Sequence, residues 1–298
     1  MDQPQVPPSL SLFLPNQPLT HAVNRDRYDR QAFIKEIEKV TGRRVIVYMS
    51  NLNHSDSAIL REDIAPFNEI IASIDKDSDV DFIIQSPGGD PNAAEIIVHT
   101  LLSRTKHLRV VVPQAAKSAA TLVSLAADEI VMSNTSELGP IDPQVTIPTS
   151  FGLAFRPAQA FLNGLEMIKK EHANGQALNP AYYPFLKGVD AALIDYCLKS
   201  IEHSKRLAVK WLSRSMHKGN LKEAQRIAEE LINIEKYPNH GQVIDHFDAK
   251  SIGLNVVYKP YGDELWQAWW RLYVNYIVMM REREVVKIFE SSDASVML

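Results

Sequence analysis

Between residues 28 and 133 the chain alternates short, almost purely apolar runs with segments whose apolar residues recur every three or four positions. The short runs are RRVIVYMS (43–50), VDFIIQ (80–85), RVVVP (109–113) and EIVMS (129–133). The segments between them, 28–41, 58–75, 91–105 and 118–127, have helical spacing; in the first, Phe33, Ile34, Ile37 and Val40 form a stripe that Gly42 closes. Strands apolar on both sides need cover on both faces, and parallel strands need crossover connections. The alternation therefore predicts an α/β fold, a mostly parallel sheet flanked by helices.

The second half changes character. Residues 156–235 read as helical, with a break around Asn179–Pro184, and 242–258 form a last α/β piece. Residues 262–290 read as one amphipathic helix with Leu265, Trp269, Leu272, Tyr273, Tyr276, Ile277 and Met280 on one stripe. That stripe is expected to dock on the core or on another subunit. The expected plan is an extended, proline-rich arm over 1–27, one α/β domain over 28–258 that includes the helical segment 156–235, and a C-terminal amphipathic helix over 259–298.

At 298 residues the chain can bury a large core without staples. A net charge of −4, with Lys and Arg spread along the chain, argues against a nucleic-acid binder. The single cysteine, Cys197, excludes an intrachain disulfide and a Cys-rich metal site and reads as a small apolar residue on a helix. No 18-residue apolar run and no basic leader followed by an apolar stretch are present. The expectation is a cytoplasmic protein without a membrane span, metal or cofactor.

Two segments carry chemistry. Gln85-Ser86-Pro87-Gly88-Gly89-Asp90 leaves a strand and opens a helix. Paired glycines there permit positive φ and close backbone approach, and amides at a helix start favour negative charge. The alternatives are a tight βα turn or an amide cradle for a phosphate or an oxyanion; neither dinucleotide nor P-loop spacing is present. The second segment, Ala115-Ala116-Lys117-Ser118-Ala119-Ala120-Thr121, also joins strand to helix. Small neighbours open access to the Ser118 hydroxyl, with the Ala119 amide beside it. Taken alone, Ser118 reads more simply as a helix cap. Taken together, the two segments supply a hydroxyl nucleophile and amide donors, the minimum for acyl transfer.

SPGGD, AAKSAATLVSLAADEIVM and SELGPIDPQ together resemble the ClpP/crotonase superfamily, and within it the serine dehydrogenase proteinase (SDH proteinase) family, related to the Clp protease proteolytic subunit and signal peptide peptidase A. The resemblance covers about 28–145 and returns at HGQVIDHFDAKSIGLNV (240–256). It implies a ClpP/crotonase-like sheet with a helical C-terminal extension, a serine peptidase acting on polypeptides, Ser118 as nucleophile, oxyanion amides from Gly88 or Gly89 and from Ala119, a homo-oligomer, and an ATPase or adaptor as a possible partner. Two other readings of the same fold stay open, a non-catalytic oligomeric scaffold and a crotonase-type acyl-CoA hydratase or isomerase.

The base is where the chain departs from its relatives. The Clp subunit has a histidine where this chain has Ile141-Asp142-Pro143-Gln144, and an aspartate near where this chain has His240. A triad of Ser118, Asp142 and His240 exchanges those two positions, which triad chemistry tolerates because chain order differs among unrelated folds. The alternative for Asp142 is a turn-former between prolines. The competing base is Lys169 or Lys170, as in signal peptide peptidase A. Lys117 either lines the site or caps the turn, and Glu137 shapes the loop by capping.

Overall fold

The computed structural model describes residues 18–149, 152–173, 177–187 and 191–298. In chain order the elements are α1 (Pro18–Val23), α2 (Arg25–Thr41), β1 (Arg44–Ser50), α3 (Ile64–Ala72), β2 (Ser78–Gln85), α4 (Pro91–Leu102), β3 (Thr105–Val111), β4 (Ala115–Ala116), α5 (Ala119–Ser124), β5 (Glu129–Met132) and β6 (Glu137–Leu138). Then follow β7 (Gln144–Thr149), β8 (Gly152–Pro157), α6 (Ala158–Ala173), α7 (Tyr183–Lys187), α8 (Ala191–Arg214), α9 (Leu221–Leu231), α10 (His246–Ser251), β9 (Val256–Tyr258), α11 (Glu264–Arg283), β10 (Lys287–Ser291) and β11 (Ser295–Met297).

Seven strands form the main sheet in the order β11-β10-β1-β2-β3-β5-β9. The five from β1 to β9 run parallel, and β10 and β11 add antiparallel at one side. In register, Ile46, Phe82, Val110, Ile130 and Val256 make one row across the parallel strands. That row packs under α3, α4, α5 and α9, through Phe67, Ile97, Leu122 and Ile227. The adjacent row, Val47, Ile83, Val111 and Val131, faces α2 and α11. Alternate residues of each strand thus serve opposite helical layers, the arrangement that continuous apolar runs require. Burying each such side chain contributes roughly 1.5–3 kcal/mol.

The helix starts are chemically marked. Asp90 caps α4 by accepting from the Asn92 amide at 2.8 Å, with Pro91 in the first turn. Gly42 ends α2 in the left-handed conformation, φ 68°. Cys197 is fully buried on α8, and burial pushes its thiol up.

Three expectations are corrected. Residues 18–27 of the supposed arm are helical apart from Asn24, while 1–17 lie outside the described residues. The helical second half is preceded by a β7–β8 hairpin, Gln144 pairing with Pro157 and Thr149 with Gly152. The final helix ends at Arg283, where Glu284 turns left-handed at φ 54°, and the chain then returns as β10 and β11. The residues beyond 259 therefore complete the sheet of the same domain. The α11 stripe, with Trp266, Trp269, Leu272 and Tyr276 all at most 1% exposed, is covered by the chain's own core.

β10 was hidden by its charges. Lys287 and Glu290 make KIFES look like a polar helix end, yet both are buried in the sheet. Lys287 Nζ donates to both oxygens of Asp63 at 2.8 and 3.1 Å, and Asp63 also accepts from the Tyr48 hydroxyl and the Leu60 amide, each at 2.8 Å. Glu290 receives the Arg30 guanidinium bidentately at 2.9 and 3.0 Å, the Tyr276 hydroxyl at 2.5 Å and the Ser295 hydroxyl at 2.7 Å. The charge partners are remote, Asp63 by 224 residues and Arg30 by 260, so no local pattern could announce them. Replacing one partner of such a pair leaves a buried charge uncompensated, at a cost of about 3–5 kcal/mol. Glu290→Ala is expected to lose stability on that scale in urea unfolding; a loss below about 1 kcal/mol would count against a buried pair that ties α2, α11 and β10 together.

Candidate active site

The parallel strands end at the edge where ligand sites form in open α/β sheets. There the chain after β2 and the chain after β3 are joined by a second, smaller backbone ladder. The Ser86 amide donates to Ala115 O at 2.9 Å and the Lys117 amide to Ser86 O at 3.0 Å. β4 pairs in parallel with β6, Ala115 with Glu137 and Ala116 with Leu138. Leu138 in turn exchanges both backbone bonds with Ile244, at 2.9 and 3.1 Å. Four segments remote in sequence, around 86, 116, 138 and 244, are thereby held side by side.

Ser118 follows β4 directly. Its backbone sits at φ 49°, ψ −114°, a region a serine enters at a cost of order 1–3 kcal/mol. Its side chain makes no capping bond to α5, so the capping alternative does not hold. Thr121, one turn on, pins the elbow: its hydroxyl donates to Ala116 O at 2.7 Å and accepts from the Gly139 amide at 3.0 Å.

The glycine pair is required by close approach. Gly88 has φ 103°, and a Cβ there would stand 2.7 Å from Ser118 Cβ and 2.8 Å from Lys117 O. Gly89 has φ 146°, and a Cβ there would stand 2.3 Å from Ile59 O. Ile59 explains the second contact: its amide donates to Gly88 O at 2.7 Å and its carbonyl accepts from the Asp90 amide at 2.8 Å. Of the expected amide donors, the Gly88 N–H donates to Ser86 Oγ at 3.1 Å. The Gly89 and Ala119 amides have no acceptor among the described residues.

Asp142 and His240, 98 residues apart, meet at 2.8 Å between Asp142 Oδ1 and His240 Nδ1. Asp142 is 2% exposed, and its other oxygen accepts from Gln144 Nε2 at 2.7 Å. With a carboxylate on Nδ1, the imidazole carries its proton there and leaves Nε2 as the free lone pair. Ser118, Ala119, Gly88, Gly89 and His240 all line one cleft of about 980 Å³. Its far wall comes from Phe155 on β8 and from Tyr196, Lys199 and His203 on α8.

The lysines fall elsewhere. Lys169 is 69% exposed, paired with Glu166 at 2.6 Å, and Lys170 is exposed beside it; neither lines the cleft. Lys117 is turned to Glu137, at 2.8 Å, so Glu137 shapes this loop through a salt bridge and through its amide, which donates to Gln114 O at 2.6 Å. Ser86, Thr121 and Gln144 lie inside the quoted motifs but were not legible there as site residues, and Ile59 had no sequence signal. No group of three or more His, Cys, Asp or Glu able to hold a metal is present among the described residues, and no helix there is long and apolar enough to cross a membrane.

Known proteins of similar sequence match this chain over part of its length. An uncharacterized protein of Methanocaldococcus jannaschii is 30% identical over 195 residues, 65% of this chain and 59% of that protein. A second uncharacterized protein of the same organism is 34% identical over 123 residues, 38% of this chain and 41% of that protein. The chain therefore spans less than two thirds of the length of either relative. Among solved structures, a mutant of the membrane-bound stomatin-specific protease 1510-N is 14% identical, with 68% of this chain and 75% of that chain covered at a TM-score of 0.39. A mutant of ClpP1 from Listeria monocytogenes is 15% identical, with 77% and 99% covered at a TM-score of 0.35. The family model described as ClpP-like SDH-type serine proteinase matches residues 12–287, nearly the whole chain, and the protein belongs to that family.

Proposed function

We propose that the chain is a serine peptidase that cleaves polypeptides through an acyl-enzyme. The observation that carries this reading is a serine hydroxyl left uncapped at a strained elbow, sharing one cleft with a histidine whose ring is held by a buried aspartate. Ser118 Oγ attacks the scissile carbonyl while His240 Nε2 takes its proton. Asp142 holds the ring and stabilises the imidazolium that forms, and it stays ionised. The tetrahedral oxygen receives the Gly89 and Ala119 amides, the pair left without acceptors. His240 returns the proton to the leaving amine, and water, activated by the same histidine, releases the acyl group. Gly88 contributes by lacking a side chain, which lets its backbone lie against Ser118.

A crotonase-type reaction needs a free carboxylate at the acyl group. Among the described residues the carboxylate lining the cleft is Asp90, and it is occupied as the cap of α4. A homo-oligomer, and an ATPase or adaptor that delivers substrate, extend the same proposal.

Two outcomes are expected. A fluorophosphonate probe labels Ser118, and Ser118→Ala abolishes both labelling and casein hydrolysis at an unchanged thermal midpoint; undiminished hydrolysis by the purified variant would remove the nucleophile and favour a scaffold. His240→Ala and Asp142→Ala should each lose on the order of a thousandfold or more in rate, with the Ser118→Ala, His240→Ala double variant hardly worse than either. A His240→Ala enzyme within tenfold of wild type would sink the triad.

A further inference from the structure

The residue before the nucleophile is a lysine whose side chain is mostly buried. The Lys117 side chain is 13% exposed. Its ammonium lies 2.8 Å from Glu137 Oε2, 3.2 Å from Leu138 O, 3.2 Å from Gln242 O and 3.4 Å from Gly241 O. Every one of these is an acceptor, so the group works as a donor there, which is the opposite of a base. Its stem is also committed: a Cβ added to Gly139 would come within 2.8 Å of Lys117 Cδ.

Gly241 and Gln242 are the two residues after His240. The turn that presents His240 is otherwise held mainly by itself, with the Gln242 amide on Asn239 O and the Gly241 amide on Asn239 Oδ1. Beyond the bond from His240 Nδ1 to Asp142 Oδ1, its next tie to the rest of the fold is Ile244 against Leu138. Among the described residues the Gly241 and Gln242 carbonyls accept no hydrogen bond except from Lys117. The side chain adjacent to the nucleophile thus grips the turn that carries the base.

We infer that Lys117 is a positioning residue: its ammonium straps the His240 turn to the Ser118 elbow and so sets the approach of the imidazole to the serine. The inference rests on the serine peptidase reading. A base displaced by an ångström or so loses much of its effect, because proton transfer needs hydrogen-bond reach. Lys117→Met keeps the stem and removes the strap. Glu137 is left without its cation, but its side chain is about a quarter exposed and water can serve it.

The test is a double-mutant cycle read by the rate at which a fluorophosphonate labels Ser118. Lys117→Met is expected to lower the maximal labelling rate at least tenfold while the half-saturating probe concentration changes less than twofold. In a His240→Ala background the same substitution is expected to have no further effect, since there is no base left to position. Lys117→Arg should restore part of the rate. Glu137→Gln, which loosens the ammonium without removing it, should show a smaller loss with the same dependence on His240, and it carries the test if Lys117→Met does not fold. An equal fold-loss in both backgrounds would mean a merely structural lysine and would overturn the strap alone. No loss in Lys117→Met would overturn it too. A His240→Ala enzyme that labels as fast as wild type would overturn the peptidase reading, and the strap with it.

Discussion

The small backbone ladder at the strand ends is the constraint on which the site depends. The main sheet brings Ser86 and Ala115 to the same edge, but a sheet edge alone does not orient loops. The bonds from Ser86 to Ala115 and Lys117, from β4 to β6 and from Leu138 to Ile244 join the glycine loop, the nucleophile elbow, the Asp142 loop and the His240 turn into one piece. Backbone pairs fix position to a few tenths of an ångström without reference to side chains, so the chemistry is borne by a rigid frame rather than by mobile loops.

That frame can hold a strained serine because everything around it is packed. The elbow is flanked by Ala115, Ala116, Ala119 and Ala120, all at most 2% exposed, and by a glycine whose missing Cβ is the space that Ser118 fills. A Cβ at Gly88 would meet Ser118 Cβ and the Lys117 carbonyl, and a close-packed site yields little. Local strain of a few kcal/mol persists when the surroundings over-determine it. Thr121 and Lys117 reach from the elbow to the 137–139 strand and to the 241–242 turn, so the same residues that constrain the nucleophile also tie in the remaining members of the site.

The buried ion pairs do for the sheet what the ladder does for the site. β10 joins β1 in the middle of the molecule only because Asp63 and Arg30 wait for Lys287 and Glu290. The pairs select one register for a strand that arrives last in the chain, since a slip by one residue would bury both charges without partners.

The sequence by itself determined the parallel strands, most helix starts and the two chemical motifs. Each of these is a local matter: apolar periodicity, an Asp-Pro cap, a glycine pair, small residues around a serine. It also supplied Asp142 and His240 as a pair to be tested, through their place in segments similar to those of known peptidases. Tertiary structure alone decided the rest. β10 looked helical because its charges are neutralised by residues more than two hundred positions away. Lys117 proved to be a clamp because one turn over a hundred residues downstream, Gly241–Gln242, and Leu138, 21 residues on, present carbonyls to it. Contacts of that range are set by how the sheet closes, and a linear pattern carries no record of them.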